Sequence, residues 1–395
     1  MVENFTFCRL LCQFFGCFFI FDLNGRRLHD ARATLKTAYT AYALALFCVC
    51  LYFEGGSLIG RLARLDFSRQ FADAVSTLLN VALMVKVVVN FGCMAFHSGR
   101  LLDFFHKCKE YEKRSAFKRP SGREALKRDW IVSIIRLCIL TVAVSMAGIL
   151  VISMATNSSK RAPRQVARFF CVAVYFFYDS LVYLLLRSVG EVLVWYVRAQ
   201  RVTFEKCCAA VSRGTPVAAL RRGRWASLTV ESVRQRVCEV RELKCFINGI
   251  WSTAISISSG TLVWMVCITL YTALKAGVFR ADVCLSLCYT AYIFLSFLEL
   301  ACISQTMRDE AHKLKEVARR ASTLNATDSY FRQVEFLHYT IDPDGMSISG
   351  SGFFRLDKQL VVSIVGSLIT LTVILVQTSD ELSQRMRERA ASTSS

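Results

Sequence analysis

The feature that most constrains the fold is a set of long, apolar runs, the last of which extends from Leu360 to Val376 without a charge. This run is about as long as a helix must be to cross the hydrocarbon core of a bilayer. Thr370 and Gln377 stand near its end, and their spacing of seven places them on one side of a helix. Because polar groups that face lipid are costly, we expect both to face protein or a water-filled path.

The overall composition favours a polytopic membrane protein. Apolar residues make up 54% of the chain and the mean hydropathy is +0.39, whereas a soluble domain of this length carries more polar surface. The net charge of +19 does not require a nucleic-acid partner, because Lys and Arg collect in the cytoplasmic loops of membrane proteins. We therefore expect the lipid bilayer, and no nucleic acid, as a partner.

The apolar runs predict an all-α fold with seven transmembrane helices. The predicted spans are 37–54, 75–96, 130–154, 169–197, 247–271, 282–305 and 360–378. One alternating set of connecting segments contains 34 Lys and Arg residues and the other contains 12. Since positive residues favour the cytoplasmic side, the N-terminus is predicted inside and the C-terminus outside.

The segments on the predicted cytoplasmic side are expected to form helices. Residues 1–36 lack the charge pattern and cleavage site of a signal peptide, and they predict an amphipathic helix on the inner membrane face. The long basic loops are prone to form helices, and the fourth span is expected to continue as a helix into the cytoplasm.

The last helix and the residues before it resemble the C-terminal signature of the arthropod gustatory receptors, which are seven-helix, ligand-gated cation channels related to the olfactory receptors. The start of the signature is matched by Gly352, Phe353, Phe354, Leu356 and Asp357, and its later part by Thr370 and Gln377. Two positions depart from the family pattern: Leu371 replaces a Tyr and Thr378 replaces a Phe.

The resemblance implies a domain organisation and an assembly. It implies a cytoplasmic N-terminal segment (1–36), a six-helix membrane bundle with an outer ligand pocket (37–305), a cytoplasmic anchor loop (306–359), a pore-lining seventh helix (360–378) and an extracellular tail (379–395). In these receptors the cytoplasmic helical extensions form an anchor domain that holds four subunits around one pore. The implied protein is a homo- or hetero-tetramer in the plasma membrane that responds to a small-molecule tastant.

Two ionisable residues lie near the middle of predicted spans, Lys86 in the second and Asp179 in the fourth. A charge at this depth costs about 2.5–3.5 kcal/mol on insertion scales, so such residues usually face a cavity and find a partner. Our hypothesis is that Lys86 and Asp179 line or brace a ligand pocket, paired with each other. A purely structural salt bridge between helices accounts for the same residues.

Aromatic residues with polar tips add to the candidate pocket. Rings that carry a hydroxyl or an indole N–H inside a helical bundle suit small amphipathic ligands, although any one of them can equally be core packing or an interfacial anchor. The candidates in the fourth, fifth and sixth spans are Tyr175, Tyr178, Trp264, Tyr289 and Tyr292.

The resemblance also places a gate on the last helix. In the gustatory and olfactory relatives the Gln of the signature, the residue after it and an apolar residue one turn earlier form the narrow part of the pore. These positions are Gln377, Thr378 and Ile374. An apolar ring closes a pore by excluding water, so the small polar Thr378 is expected to seal less well than a larger apolar residue.

Other kinds of function have less support in the sequence. It contains no Ser/His/Asp set, HExxH or P-loop, and no cysteine pair with metal spacing, so we expect neither an enzyme nor a cofactor or metal site. A sequon at Asn157 predicts glycosylation in an outside loop. A seven-helix receptor that signals through a cytoplasmic partner, and a transporter, remain as alternatives.

Overall fold

The computed structural model describes residues 5–23, 28–63, 71–117, 162–212, 219–276, 281–322 and 328–393. The predicted third span, 130–154, and the predicted glycosylation site Asn157 lie outside these residues.

The described residues form nine α-helices and two short antiparallel hairpins. The helices are α1 Thr6–Phe14, α2 Ala38–Leu62, α3 Phe71–Phe96, α4 Ser98–Arg114, α5 Ala162–Ser212, α6 Ala219–Ala276, α7 Ala281–Ala321, α8 Asp328–Thr340 and α9 Lys358–Thr393. The hairpin strands are β1 Ile20–Phe21 with β2 Arg32–Ala33, and β3 Ser349–Gly350 with β4 Phe354–Arg355.

Six of these helices, α2, α3, α5, α6, α7 and α9, are long and apolar enough to cross a membrane. Each of the six contains one predicted span, to within one residue at the start of α2, and the third predicted span lies outside the described residues. A helix is the natural form for such runs because it satisfies every backbone N–H and C=O within the segment, where no water is available. At the start of α2, the Thr37 side chain accepts a hydrogen bond from the backbone N–H of Thr40 and caps the helix.

Several helices extend well beyond the predicted spans. Helix α5 runs on to Ser212, α6 begins at Ala219 and α7 continues to Ala321. Below the spans these extensions pack together with α8. On α6, buried valines recur every three or four residues, which is the apolar stripe of a helix that packs on one side; they are Val230, Val233, Val237 and Val240.

Helices α5 and α7 approach each other closely at Gly190. A Cβ atom added there would lie 2.8 Å from Cγ2 of Ile303. The glycine therefore lets the fourth and sixth predicted spans pack in direct contact.

The N-terminal segment, predicted as an amphipathic helix on the inner membrane face, packs into the helical bundle. After α1 the chain turns at Gly16, which has a φ of 71°, and then buries Phe18 and Phe19 among the helices. The ring of Phe5 packs against that of Phe105 on α4, with ring centroids 5.1 Å apart. The segment is thus part of the hydrophobic core.

The last helix also differs from its predicted bounds. Helix α9 continues past residue 378 to Thr393, so most of the segment assigned to an extracellular tail is helical. No proline or glycine follows residue 378 to end the helix.

Candidate functional site

Lys86 of α3 and Asp179 of α5 form an ion pair inside the helical bundle. Lys86 Nζ lies 2.6 Å from Asp179 Oδ1, and the two side chains are only 1% and 0% exposed. The other carboxylate oxygen, Oδ2, accepts a short hydrogen bond from the hydroxyl of Tyr289 on α7. One carboxylate therefore ties three helices together.

Aromatic rings surround this charged group. Lys86 Nζ lies 5.3 Å from the centroid of the Tyr183 ring, a distance at which the face of the ring attracts a cation. The ring of Phe176 stacks on that of Tyr289 with centroids 4.2 Å apart. The Tyr183 hydroxyl donates to the carbonyl of Ser258 on α6 at 3.3 Å, so the fifth predicted span joins the network.

A small polar cavity lies one helical turn from the ion pair, toward the predicted outer ends of the helices. Its volume is about 50 Å³, and it is lined by Glu54, Ser57, Leu58, Arg61, Asn80, Met84 and Tyr175. Tyr175 stands four residues before Asp179 on α5, which is one turn of the same helix. Tyr175 therefore places the cavity next to the ion pair, on its predicted outer side.

The other predicted pocket residues lie elsewhere. The Tyr178 hydroxyl donates to the carbonyl of Phe15 at 2.6 Å, which fastens the N-terminal segment to α5. Trp264 is 51% exposed on the surface of α6, and this fits an interfacial or lipid-facing ring better than a pocket. Tyr292 is half-buried against the core. The structure thus groups Tyr175 and Tyr289 with the ion pair, whereas Tyr178 contacts the N-terminal segment and Trp264 lies on the exposed surface of α6.

Sequence reasoning missed two polar residues beside this site. Asn90 is fully buried one turn after Lys86, and its side-chain amide donates to the carbonyl of Tyr178 at 2.9 Å. Glu54 lines the outer cavity. The sequence did contain a pattern that indicates Asn90, because this polar residue lies four positions after Lys86 and therefore on the same helix face.

The matched signature residues build the start of α9. The hairpin turns at Ser351 and Gly352, which have φ values of 48° and 77°. Gly352 takes up this left-handed conformation without strain because it lacks a Cβ. The Phe353 side chain projects from the turn and is almost fully exposed.

Asp357 is the N-cap of α9. Its Oδ1 accepts the backbone N–H of Leu360 at 2.8 Å, and its Oδ2 lies 3.8 Å from Nη1 of Arg308 on α7. Arg308 also reaches Asp344, with Nη2 2.7 Å from Oδ1. The first turn of the last helix is thus held both by its own cap and by a charge on α7, which sequence reasoning did not identify.

We expect Asp357→Ala to destabilise the protein by about 1 kcal/mol, the usual cost of a lost N-cap. Asp357→Asn is the matched control, because asparagine caps equally well but removes the charge that faces Arg308. The midpoint of thermal unfolding of the purified full-length protein checks this. If the asparagine variant is as unstable as the alanine variant, the ion pair and not the cap holds the helix.

In the part of α9 whose side chains the structure describes, one stripe is covered by the rest of the chain. The buried residues of this stripe are spaced by four along the helix; they are Ile364, Leu368 and Thr372. The rest of the spanning part exposes apolar side chains over much of its circumference; they are Val362, Val365, Ile369, Leu371, Val373 and Ile374.

The candidate gate residues lie on this open surface. Ile374 is 49% exposed, Gln377 is exposed and Thr378 is half-exposed. The Thr378 hydroxyl donates to the carbonyl of Ile374 at 2.8 Å, as the Thr370 hydroxyl does to that of Gly366 at 3.3 Å. In the described part of the chain, no group of His, Cys, Asp and Glu side chains is arranged to hold a metal ion.

Known proteins resemble the chain in both sequence family and fold. The family model described as 7tm Chemosensory receptor matches residues 6–381, whereas no curated protein sequence matches the chain. The structure is similar to that of the insect olfactory receptor OR5 from Machilis hrabei in complex with eugenol, with 12% sequence identity, a TM-score of 0.73 and coverage of 95% of this chain and 98% of that chain.

A second structure of the same olfactory receptor, described without eugenol, has 13% identity and a TM-score of 0.72, and covers 95% of this chain and 100% of that chain. At such low identity the likeness concerns the fold, and it confirms the predicted all-α, polytopic membrane architecture. Since the family model spans nearly the whole sequence, the protein belongs to the 7tm chemosensory receptor family, whose members are ligand-gated channels and not enzymes.

Proposed function

We propose that the protein is a gustatory receptor of the plasma membrane that acts as a ligand-gated, non-selective cation channel. A small organic tastant binds in the outer half of the helical bundle. Four subunits, identical or from related receptors, surround a central path that α9 lines, and Ile374, Gln377 and Thr378 form its gate.

The open surface of α9 is the observation that carries this proposal. A helix that exposes Gln377 beside a wide apolar face is poorly suited to lipid on every side, because a polar amide in hydrocarbon lacks partners. When copies of α9 meet around an axis, the apolar residues pack between subunits and Gln377 faces water. This arrangement satisfies both kinds of side chain.

The buried ion pair and the cavity beside it support the position of the ligand site. The outer cavity touches α2, α3 and α5, and the Asp179 carboxylate one turn deeper reaches α7 through Tyr289. A ligand that enlarges the cavity would shift Tyr175 and thereby α5, to which the ion pair and α7 are attached. The receptor from Machilis hrabei was solved with the small aromatic molecule eugenol, which fits the proposed ligand class.

Channel activity is tested by recording currents from cells that express the full chain while a panel of tastants is applied. Tastant-evoked cation current that persists when G-protein signalling is blocked supports the proposal. Loss of the response under that block would favour a receptor with a cytoplasmic partner, and saturable uptake of a tracer without current would favour a transporter.

The gate assignment predicts opposite effects of two substitutions on the current without ligand. Ile374→Ser is expected to raise this current several-fold, because a polar residue weakens an apolar seal, and Thr378→Leu is expected to lower it. Ile369→Ser, a polar substitution on the same helix at another exposed apolar residue, is the control. Equal currents in all three variants at matched surface expression would contradict the assignment.

A further inference from the structure

A second and larger cavity lies among the helical extensions below the predicted spans. We call it the basic cavity; its volume is about 810 Å³, and the basic side chains that line it are Arg201, His312, Lys313, Lys315, Arg319 and Arg320. They come from α5 and α7, while His338 of α8 and the segment 342–344 close another side. Only Val317 and Pro343 are apolar among the lining residues.

The carboxylates that line the basic cavity are already paired with arginines. Glu205 lies 2.6 Å from Arg201, and Glu316 is shared by Arg319 and Arg320, at 3.0 and 3.1 Å.

The two aspartates of the cavity are held by arginines that do not line it. Arg241 lies 3.5 Å from Asp342, and Arg308 lies 2.7 Å from Asp344. Since these acidic groups are neutralised from outside the cavity, they add little negative charge within it.

Positive charge is therefore left over inside the cavity. In the part of the chain that the structure describes, Lys315 has no carboxylate within ion-pair distance, while Arg201 and Lys313 also approach Glu310, which does not line the cavity. Arg319 and Arg320 both approach Glu316. Several Lys and Arg donors around a polar space of this size are the chemistry that recognises phosphate groups.

The depth of the cavity favours a soluble ligand over a lipid headgroup. Its lining residues on α7 begin at His312 and end at Arg320, and the predicted span ends at residue 305. At 1.5 Å of rise per residue, the cavity lies about 10 to 22 Å below the end of the span. A headgroup at the membrane surface reaches only the upper edge of this region.

We propose that the basic cavity binds a soluble, polyphosphorylated small molecule on the cytoplasmic side of the receptor. Lys315, Arg319 and Arg320 contact its phosphate groups. This site is separate from the tastant site and from the pore, and binding to it does not depend on whether the protein conducts ions.

The test is calorimetric titration of the full-length receptor in phosphatidylcholine nanodiscs with inositol hexakisphosphate as the probe. We expect saturable binding at one site per chain that weakens as salt is raised, because salt screens the charges. Lys315→Gln/Arg320→Gln should weaken binding about ten-fold or more. The control Lys206→Gln/Arg332→Gln removes the same charge from exposed residues that do not line the cavity and should bind like the wild type.

Three outcomes would overturn the proposal. They are the absence of saturable binding, an equal loss in both double variants, and binding only to nanodiscs that contain a phosphoinositide without competition by the soluble probe. Thermal unfolding of each variant is measured alongside, and unchanged midpoints assign any loss of binding to the cavity itself.

Discussion

Replacing Asp179 with alanine is expected to destabilise the protein by about 3–5 kcal/mol, the cost of breaking a buried ion pair by removing one partner. The substitution removes the counter-charge of the buried Lys86 ammonium group, and it leaves the Tyr289 hydroxyl without its acceptor. The thermal unfolding midpoint of the purified protein and the fraction that reaches the cell surface measure the effect.

The double variant Lys86→Met/Asp179→Leu distinguishes the loss of the ion pair from the cost of leaving one buried charge without its partner. Since neither partner then remains as an isolated charge, it is expected to recover most of the stability that Asp179→Ala loses. Tyr289→Phe serves as a milder comparison that removes one hydrogen bond, worth about 1.5–3 kcal/mol when the acceptor is charged. If the double variant is as unstable as Asp179→Ala, the two side chains do not act as a pair.

The same variants test the ligand site. If the ion pair only braces the helices, the double variant should reach the surface and respond to tastants as the wild type does. If Asp179 acts in the ligand site, the double variant should reach the surface and require a higher tastant concentration.

Replacing Glu310 with glutamine is the substitution with the second largest expected effect. Glu310 is only 3% exposed and lies 2.8 Å from Nε of Arg201 and 3.2 Å from Nη2 of Arg198. Lys313 approaches the same carboxylate at 3.4 Å. The neutral amide removes the buried counter-charge that the two arginines share, and we expect a loss of about 2–3 kcal/mol. Glu316→Gln, on the exposed side of the same helix, is the control and should change stability little.

This prediction carries a pH dependence with a definite sign. Burial alone would raise the pKa of Glu310, but the hydrogen bond from Arg201 and the charges of Arg198, Arg201 and Lys313 outweigh it and lower the pKa below its ordinary value of 4.5. The stabilisation is therefore complete above pH 4.5 and is lost as the pH falls through the lower, folded-state pKa. The difference between wild type and Glu310→Gln should shrink below pH 4.5, and a constant difference would contradict the assignment.

The sequence was sufficient to predict the class of fold and the pairing of Lys86 with Asp179. Apolar runs of membrane-spanning length have few structures open to them, because backbone polar groups in lipid must bond within a helix or a closed barrel. An unpaired charge in the middle of a membrane span is costly. Two opposite charges at similar depth are therefore predicted to pair with each other. That reasoning uses energies that depend on residue type and depth, both of which can be read from the sequence.

Contacts between distant segments could not be predicted in the same way. A buried carboxylate needs hydrogen-bond donors, but nothing in the sequence identifies Tyr289, among the tyrosines of the predicted spans, as a donor to Asp179. The pairing of Asp357 with Arg308 depends on how α7 and the β3–β4 hairpin meet. Trp264 shows the converse problem, since a Trp suits a pocket and a lipid-facing surface equally well until the rotation of its helix is known.

Helix α6 extends without a break from Ala219 to Ala276, and this length has a mechanical consequence. At 1.5 Å of rise per residue it is a rod of about 87 Å, so a tilt of about 3° around one end moves the other by about 4 to 5 Å. A small displacement at the predicted outer end can therefore shift the other end by more than the diameter of a water molecule. The continuous helix converts a small angular motion into a displacement large enough to repack its neighbours.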